Sequence, residues 1–130
     1  MAGHRRTVSQ NQLTKLVMKE PLVSRTTIAE LLFGDEEYVD QFIDASIDSF
    51  TEFRDHFKQN MESGNLNGLK NAGHKIKPVA QILKLDPILE IYEESKSLLE
   101  NNAADTDIAL IVDKMSNYCN RLIEDLISLK

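Results

Sequence analysis

Apolar residues fall on one helical face in each long stretch between Asp35 and Lys130. Val39, Ile43, Ser46, Phe50, Phe53 and Phe57 recur at alternating spacings of four and three, the period that lines one side of an α-helix. Leu66, Gly73 and Ala80 repeat every seven residues, as do Leu69, Ile76 and Leu83, and together they define a second inward stripe. Ile88, Ile91, Tyr92, Ser95, Leu98 and Leu99 mark a third; Ile108, Ile111, Met115, Tyr118, Leu122, Leu126 and Leu129 mark a fourth. Helix stops and starts stand between them. Gly34 suits the left-handed position after a short apolar helix over Thr26 to Phe33, and Asp35 then caps a helix whose first turn holds Glu36 and Glu37. Gly64 and Asn65 close that helix and cap the next, and Asp86-Pro87 reads as cap plus first-turn proline. Asp105, Thr106 and Asp107 supply the last cap. No period-two alternation marks a strand. Amphipathic helices joined by short turns cannot bury their stripes singly, so the pattern predicts an all-α fold: an antiparallel four-helix bundle with a short additional N-terminal helix.

Length and charge narrow the function. The 130 residues suit one domain and leave no room for a second catalytic lobe. Lys and Arg number 15 against 21 Asp and Glu, a net charge of −6 that opposes wrapping a phosphodiester backbone, so nucleic acid is not an expected partner. The exception is the start: residues 1–25 hold Arg5, Arg6, Lys15, Lys19 and Arg25 against Glu20 alone, and read as a basic tail or linker ahead of a compact domain over 26–130. No apolar run approaches membrane-spanning length, and Met1 to Thr7 lacks the apolar segment of an export signal. A reduced, cytoplasmic protein without a membrane partner is expected.

Several chemistries lack their parts. Five scattered glycines form no phosphate-binding loop, and H-E-x-x-H, paired zinc-spaced cysteines and G-x-S-x-G are all absent. Cys119 lies within an apolar helical pattern, where an inert thiol is expected. Asp40, Asp44, Asp48 and Glu52 recur every four residues; such stacked like charges repel unless water surrounds them, so they read as a solvated face and not a metal site.

One segment departs from the acidic background. Between Lys70 and Lys84 stand four lysines, at 70, 75, 77 and 84, and no acid, together with Gly73 and the mid-helix Pro78. With Leu69, Gly73, Ile76, Ala80 and Leu83 inward, His74 falls off the buried seam, and Lys70, Lys77 and Gln81 share its face. An imidazole in water is largely neutral at cellular pH and keeps a lone pair on one ring nitrogen, suited to attack on phosphorus. Lys77, one turn on, is placed to neutralise phosphoryl oxygens on that nitrogen. Gly73 removes bulk beside the imidazole and Pro78 offers a short ring, so a docking partner is expected to find the approach open.

From about Leu32 to Glu100 the chain resembles the histidine-containing phosphotransfer domains of two-component phosphorelays. The resemblance rests on Leu32-Phe33-Gly34-Asp35 leading into a long acidic helix with Phe42-Ile43-Asp44, on Gly64-Asn65, and above all on Ala72-Gly73-His74-Lys75-Ile76-Lys77. In that family a small residue precedes the phosphoaccepting histidine, an apolar residue follows two on, and a lysine three on. The resemblance implies that His74 accepts a phosphoryl group from a receiver-domain aspartyl phosphate and passes it to another receiver, with Lys77 steadying it. Lys70, Gly73, Pro78 and Gln81 would form the receiver docking face. It also implies a carrier, not an enzyme, without a nucleotide site or cofactor; Mg²⁺ belongs to the partner receiver. The implied partners are response-regulator receivers and a hybrid histidine kinase, and the implied state is a monomer.

Pro78 and Val79 stand where the family commonly has Gly and a small residue, and Lys84 where Gly is frequent. Pro78 removes the amide that would bond the His74 carbonyl, so a local kink or wide turn is expected there. Two other readings stay open. The dimerising helix pair of a sensor kinase also carries His, an apolar residue, a basic residue and Pro, but with an acid after the His and Pro five on, where this chain has Lys75 and an earlier Pro78. A non-catalytic helical interaction module would leave His74 unused.

Overall fold

The computed structural model describes residues 20–130; most of the expected basic tail, residues 1–19, lies outside the described residues. The regular structure among them is entirely helical: α1 (Arg25–Leu31), α2 (Glu36–Ser63), α3 (Leu66–Ile82), α4 (Asp86–Glu100) and α5 (Asp105–Ser128). Side chains cap three of the five starts, two of them, at Asp35 and Asn65, where the sequence signals stood and the third at Ser24, which carried no such reading. Ser24 Oγ accepts from the Thr27 amide at 3.1 Å, Asp35 Oδ1 from Glu37 and Tyr38 at 3.1 and 3.2 Å, and Asn65 Oδ1 from Gly68 at 2.9 Å. The other two starts differ from expectation. The cap positions of α4 and α5 are Leu85 and Ala104, which make no side-chain cap bond, and Asp86, Asp105 and Asp107 sit inside the first turn, where their charges favour the helix start.

Four helix ends share one device. Amides of Gly34, Asn65, Leu85 and Ala103 reach back five residues to the carbonyls of Ala29, Asn60, Ala80 and Leu98, at 2.7, 2.8, 2.8 and 2.9 Å. The preceding residues, Phe33, Gly64, Lys84 and Asn102, have φ of 57°, 67°, 57° and 53°. The left-handed position after α1 therefore falls first on Phe33, not on Gly34 alone.

α2 packs against α3 and α5, α3 against α4, α4 against α5, and α1 against α2. Arg54 Nη1 donates to Asn120 Oδ1 at 2.8 Å and Lys130 Nζ lies 2.7 Å from Asp44 Oδ1, so α2 and α5 run in opposite directions. The four stripes enclose the core. Phe50, Phe57, Ile43, Leu69, Ile88, Met115 and Leu122 are fully buried, and Phe53 and Phe57 stack tilted at 5.8 Å. Val112 and Cys119 also point inward, whereas Leu66, Leu98, Leu99, Tyr118 and Leu129 are only partly covered. Burial pushes the Cys119 thiol up to about 12, which keeps it protonated and unreactive.

The boundary expected between residues 25 and 26 lies too late. Arg121 donates to the Glu20 carbonyl, the Leu22 amide donates to Asp125 Oδ2 at 2.9 Å, and Val23 is buried. Arg25 opens α1 and reaches Glu36 at 2.6 Å, Asp40 at 2.8 Å and the Leu129 carbonyl at 3.0 Å. These contacts make residues 20–25 part of the folded body. The acidic ladder of α2 is exposed as expected, but cations also meet three of its rungs: Arg25 at Asp40, Lys130 at Asp44 and Lys75 at Glu52. No helix among the described residues is long and apolar enough to cross a membrane.

Candidate functional site

α3 presents His74 on its solvent side while its other face is fixed in the core by Leu69, Ala72, Gly73, Ile76 and Ala80. Lys70, Pro78 and Gln81 are exposed on the same side, as the spacing required. The next two lysines fall to opposite flanks of this ridge. Lys75 leans toward α2, its Nζ 3.7 Å from Glu52 Oε1, and Lys77 leans toward α4, its Nζ 3.6 Å from Glu93 Oε2. The imidazole between these ties is exposed and takes no part in a hydrogen bond or ion pair among the described residues.

Gly73 does not lie on the docking face. It is buried, and a Cβ built on it would sit 2.1 Å from Tyr92 Cζ and 2.3 Å from Tyr92 Oη. The missing side chain makes room for the tip of an aromatic ring from α4, so Gly73 sets how closely the two helices approach and does not clear a path to His74. Tyr92 is itself only 2% exposed, and burial raises its hydroxyl above the ordinary phenol range.

Tyr92 also carries two cations. Lys77 Nζ lies 5.3 Å and Lys96 Nζ 5.0 Å from its ring centroid, both within cation–π range. Glu93 joins them, with Oε1 3.0 Å from Lys96 and Oε2 3.6 Å from Lys77. The hydrogen bond with Lys96 lowers the Glu93 carboxyl below the usual range and raises the Lys96 ammonium. Lys77 thus stands one turn from His74, as its spacing demanded, but its ammonium rests on Tyr92 and Glu93 and makes no hydrogen bond to the imidazole. Tyr92 had appeared in the sequence only as a core residue, and Glu93 and Lys96 had no role. The sequence signal for them was a glycine inside a buried stripe, which needs a large residue opposite, followed by an acid and a lysine three apart beside that residue.

On the other flank a cavity of about 90 Å³ opens between α2 and α3, floored by Phe53, Ala72 and Ile76 and rimmed by Glu52, His56 and Lys75. His56 lies on the exposed flank, its Nδ1 3.8 Å from Glu52 Oε1. Pro78 does not end the helix: α3 runs on through it as α-helix to Ile82, so the wide turn expected as the alternative to a kink does not occur. No cluster of metal-ligating side chains occurs among the described residues. No protein-family model, curated protein or solved structure matches this chain.

Proposed function

We propose that the protein is a phosphorelay intermediate in which His74 accepts a phosphoryl group from a receiver-domain aspartyl phosphate and hands it to a second receiver. In this reading the four long helices form an antiparallel up-and-down bundle, with α1 as the short additional helix. The observation that carries it is His74 itself: an imidazole exposed, and unpaired among the described residues, on a helix whose opposite face is rigidly packed, with an ammonium one turn away.

The chemistry needs nothing further from this chain. A ring nitrogen donates its lone pair to phosphorus, the bond from phosphorus to the aspartate oxygen breaks, and the receiver's carboxylate leaves with that electron pair. The second ring nitrogen keeps its proton. Onward transfer is the same displacement reversed. Lys77 offsets charge on the phosphoryl oxygens, Lys70, Pro78 and Gln81 supply the docking surface, and Mg²⁺ is the receiver's. Resemblance through Ala72 to Lys77 supports the same reading from the sequence side.

The test is incubation of the wild type and His74→Gln with a panel of phosphorylated receivers. Acid-labile, alkali-stable label on the wild type alone is the expected result. Label on neither protein with any receiver would refute the proposal and leave a helical interaction module.

A further inference from the structure

The cluster on α4 contains one acid between two cations, and that acid is in contact with the lysine the proposed reaction needs. Glu93 touches Lys77 with one carboxylate oxygen and Lys96 with the other, while both ammoniums lie over the Tyr92 ring. Tyr92 has little freedom to move, because its tip fills the space above Gly73. The Lys77 side chain is 35% exposed, so it retains room to swing, and residues three apart on a helix have Cβ atoms only about 5–6 Å apart, within easy reach for its four-carbon stem.

We infer that Glu93 is a positioning residue that holds Lys77 on the Tyr92 ring while His74 is bare and competes with the phosphoryl group for it afterwards, so that phosphohistidine is held less tightly and stays transferable. The inference rests on the phosphorelay reading. Charge gives its sign. Lys77, Lys96 and Glu93 carry +1 together, and a phosphoryl dianion at His74 turns the local total to −1. With the carboxylate replaced by an amide the same total is zero, and Lys77 is free to serve the phosphoryl oxygens alone. Lys96 acts in the opposite sense to Glu93's hold on Lys77, since it draws the same carboxylate toward itself.

The experiment uses phosphoramidate as the small phosphoryl donor and follows the phosphohistidine signal by ³¹P NMR, with His74→Gln as the blank. Glu93→Gln should lengthen the phosphohistidine lifetime by about 1.5- to 5-fold, the range for giving up one partly exposed ion pair. Glu93→Asp should return it toward the wild type. Lys96→Met should shorten it, because Glu93 then serves Lys77 alone; this opposite sign separates competition for Lys77 from a general loosening of α4. The ¹³C shift of the Lys77 Cε, which senses the Tyr92 ring, should change in unphosphorylated Glu93→Gln. A wild type that takes up phosphate on His74 and loses it at the same rate as Glu93→Gln overturns this inference and leaves the relay standing. A wild type with no signal beyond the His74→Gln blank overturns both.

Discussion

Gly73→Ala tests the packing on which the site depends, and its sign runs against helix propensity. In a helix interior the change alone is worth about 0.5–1 kcal/mol in favour of alanine. Here the new methyl group would lie 2.1 Å from Tyr92 Cζ and 2.3 Å from the hydroxyl oxygen, far inside van der Waals contact. The ring tip is the movable end of a side chain, but Tyr92 is 2% exposed with two ammoniums over its ring, so yielding means separating α3 from α4 or uncovering the aromatic ring. Overpacking of this kind costs about 1–3 kcal/mol, and contacts this short place it at the upper end, for a net loss of about 2 kcal/mol. For a chain of this size that is a fall in Tm of roughly 7 °C. Tyr92→Leu removes the colliding tip and supplies the control. In that background Gly73→Ala should stabilise by about 0.5–1 kcal/mol, which gives a coupling energy of about 2–3 kcal/mol across the double-mutant cycle. The chain has no Trp, so urea unfolding is followed by circular dichroism at 222 nm. A Gly73→Ala protein more stable than the wild type, or one equally destabilised with Leu at position 92, would refute the account of α3 against α4.

Lys84 ends α3 at φ 57°, a conformation that costs a non-glycine residue roughly 1 kcal/mol, so Lys84→Gly should raise the urea midpoint without changing the slope; a lowered midpoint would show that the lysine side chain has a role there. Cys119 titrates near 12 when folded and near 9.0 when exposed, so its neutral form is what the fold accommodates: its contribution is constant below about pH 9 and declines as the pH rises from there toward 12, because only the unfolded chain ionises. At about 1.4 kcal/mol per pH unit the limit is about 4 kcal/mol. Wild type and Cys119→Ala compared by urea unfolding between pH 8 and 11 should converge as pH rises, and curves that stay parallel would contradict the burial of this thiol.

The helices were legible because periodicity states which side of a helix faces inward, and Asp35, Gly64 and Asn65 then marked where α2 begins, where it ends and where α3 begins. The stripe of α5 read too narrow: Val112 and Cys119 also point inward, since a helix wedged between α2 and α4 buries a wider sector than one seam. The same limit explains Gly73. Stripe membership says that a residue is buried, not which neighbour fills the space beside it, and the occupant comes from α4, nineteen residues along the chain with a turn between. Lys77 illustrates the difference for charge. Its spacing from His74 was visible along the chain, whereas its resting partners lie across the α3–α4 contact and only the tertiary arrangement brings them to it. The left-handed Phe33 and Lys84 were hidden for another reason: the bonds from Gly34 and Leu85 back to Ala29 and Ala80 favour that turn enough to override the residue preference by which such positions are read.

Pro78 completes the logic of α3, and its place on the helix explains why an unbroken helix accepts it. A proline lacks the N–H that would bond the carbonyl four residues back, and its ring crowds that carbonyl, which here belongs to His74. Both residues are exposed, so water can satisfy the freed oxygen, and no buried polar group is orphaned. The face that must stay regular is the other one, where Gly73, Ile76 and Ala80 lock against Tyr92 and the core. Had the proline stood at 76 or 80, the lost bond would have fallen where solvent cannot reach. At 78 the backbone is released only beneath the imidazole. The rigid side of α3 therefore fixes the distance to α4, where the resting partners of Lys77 stand, while its softened side holds the His74 backbone without a full set of helical bonds, an arrangement that suits the proposed relay, in which two receivers reach that imidazole in turn.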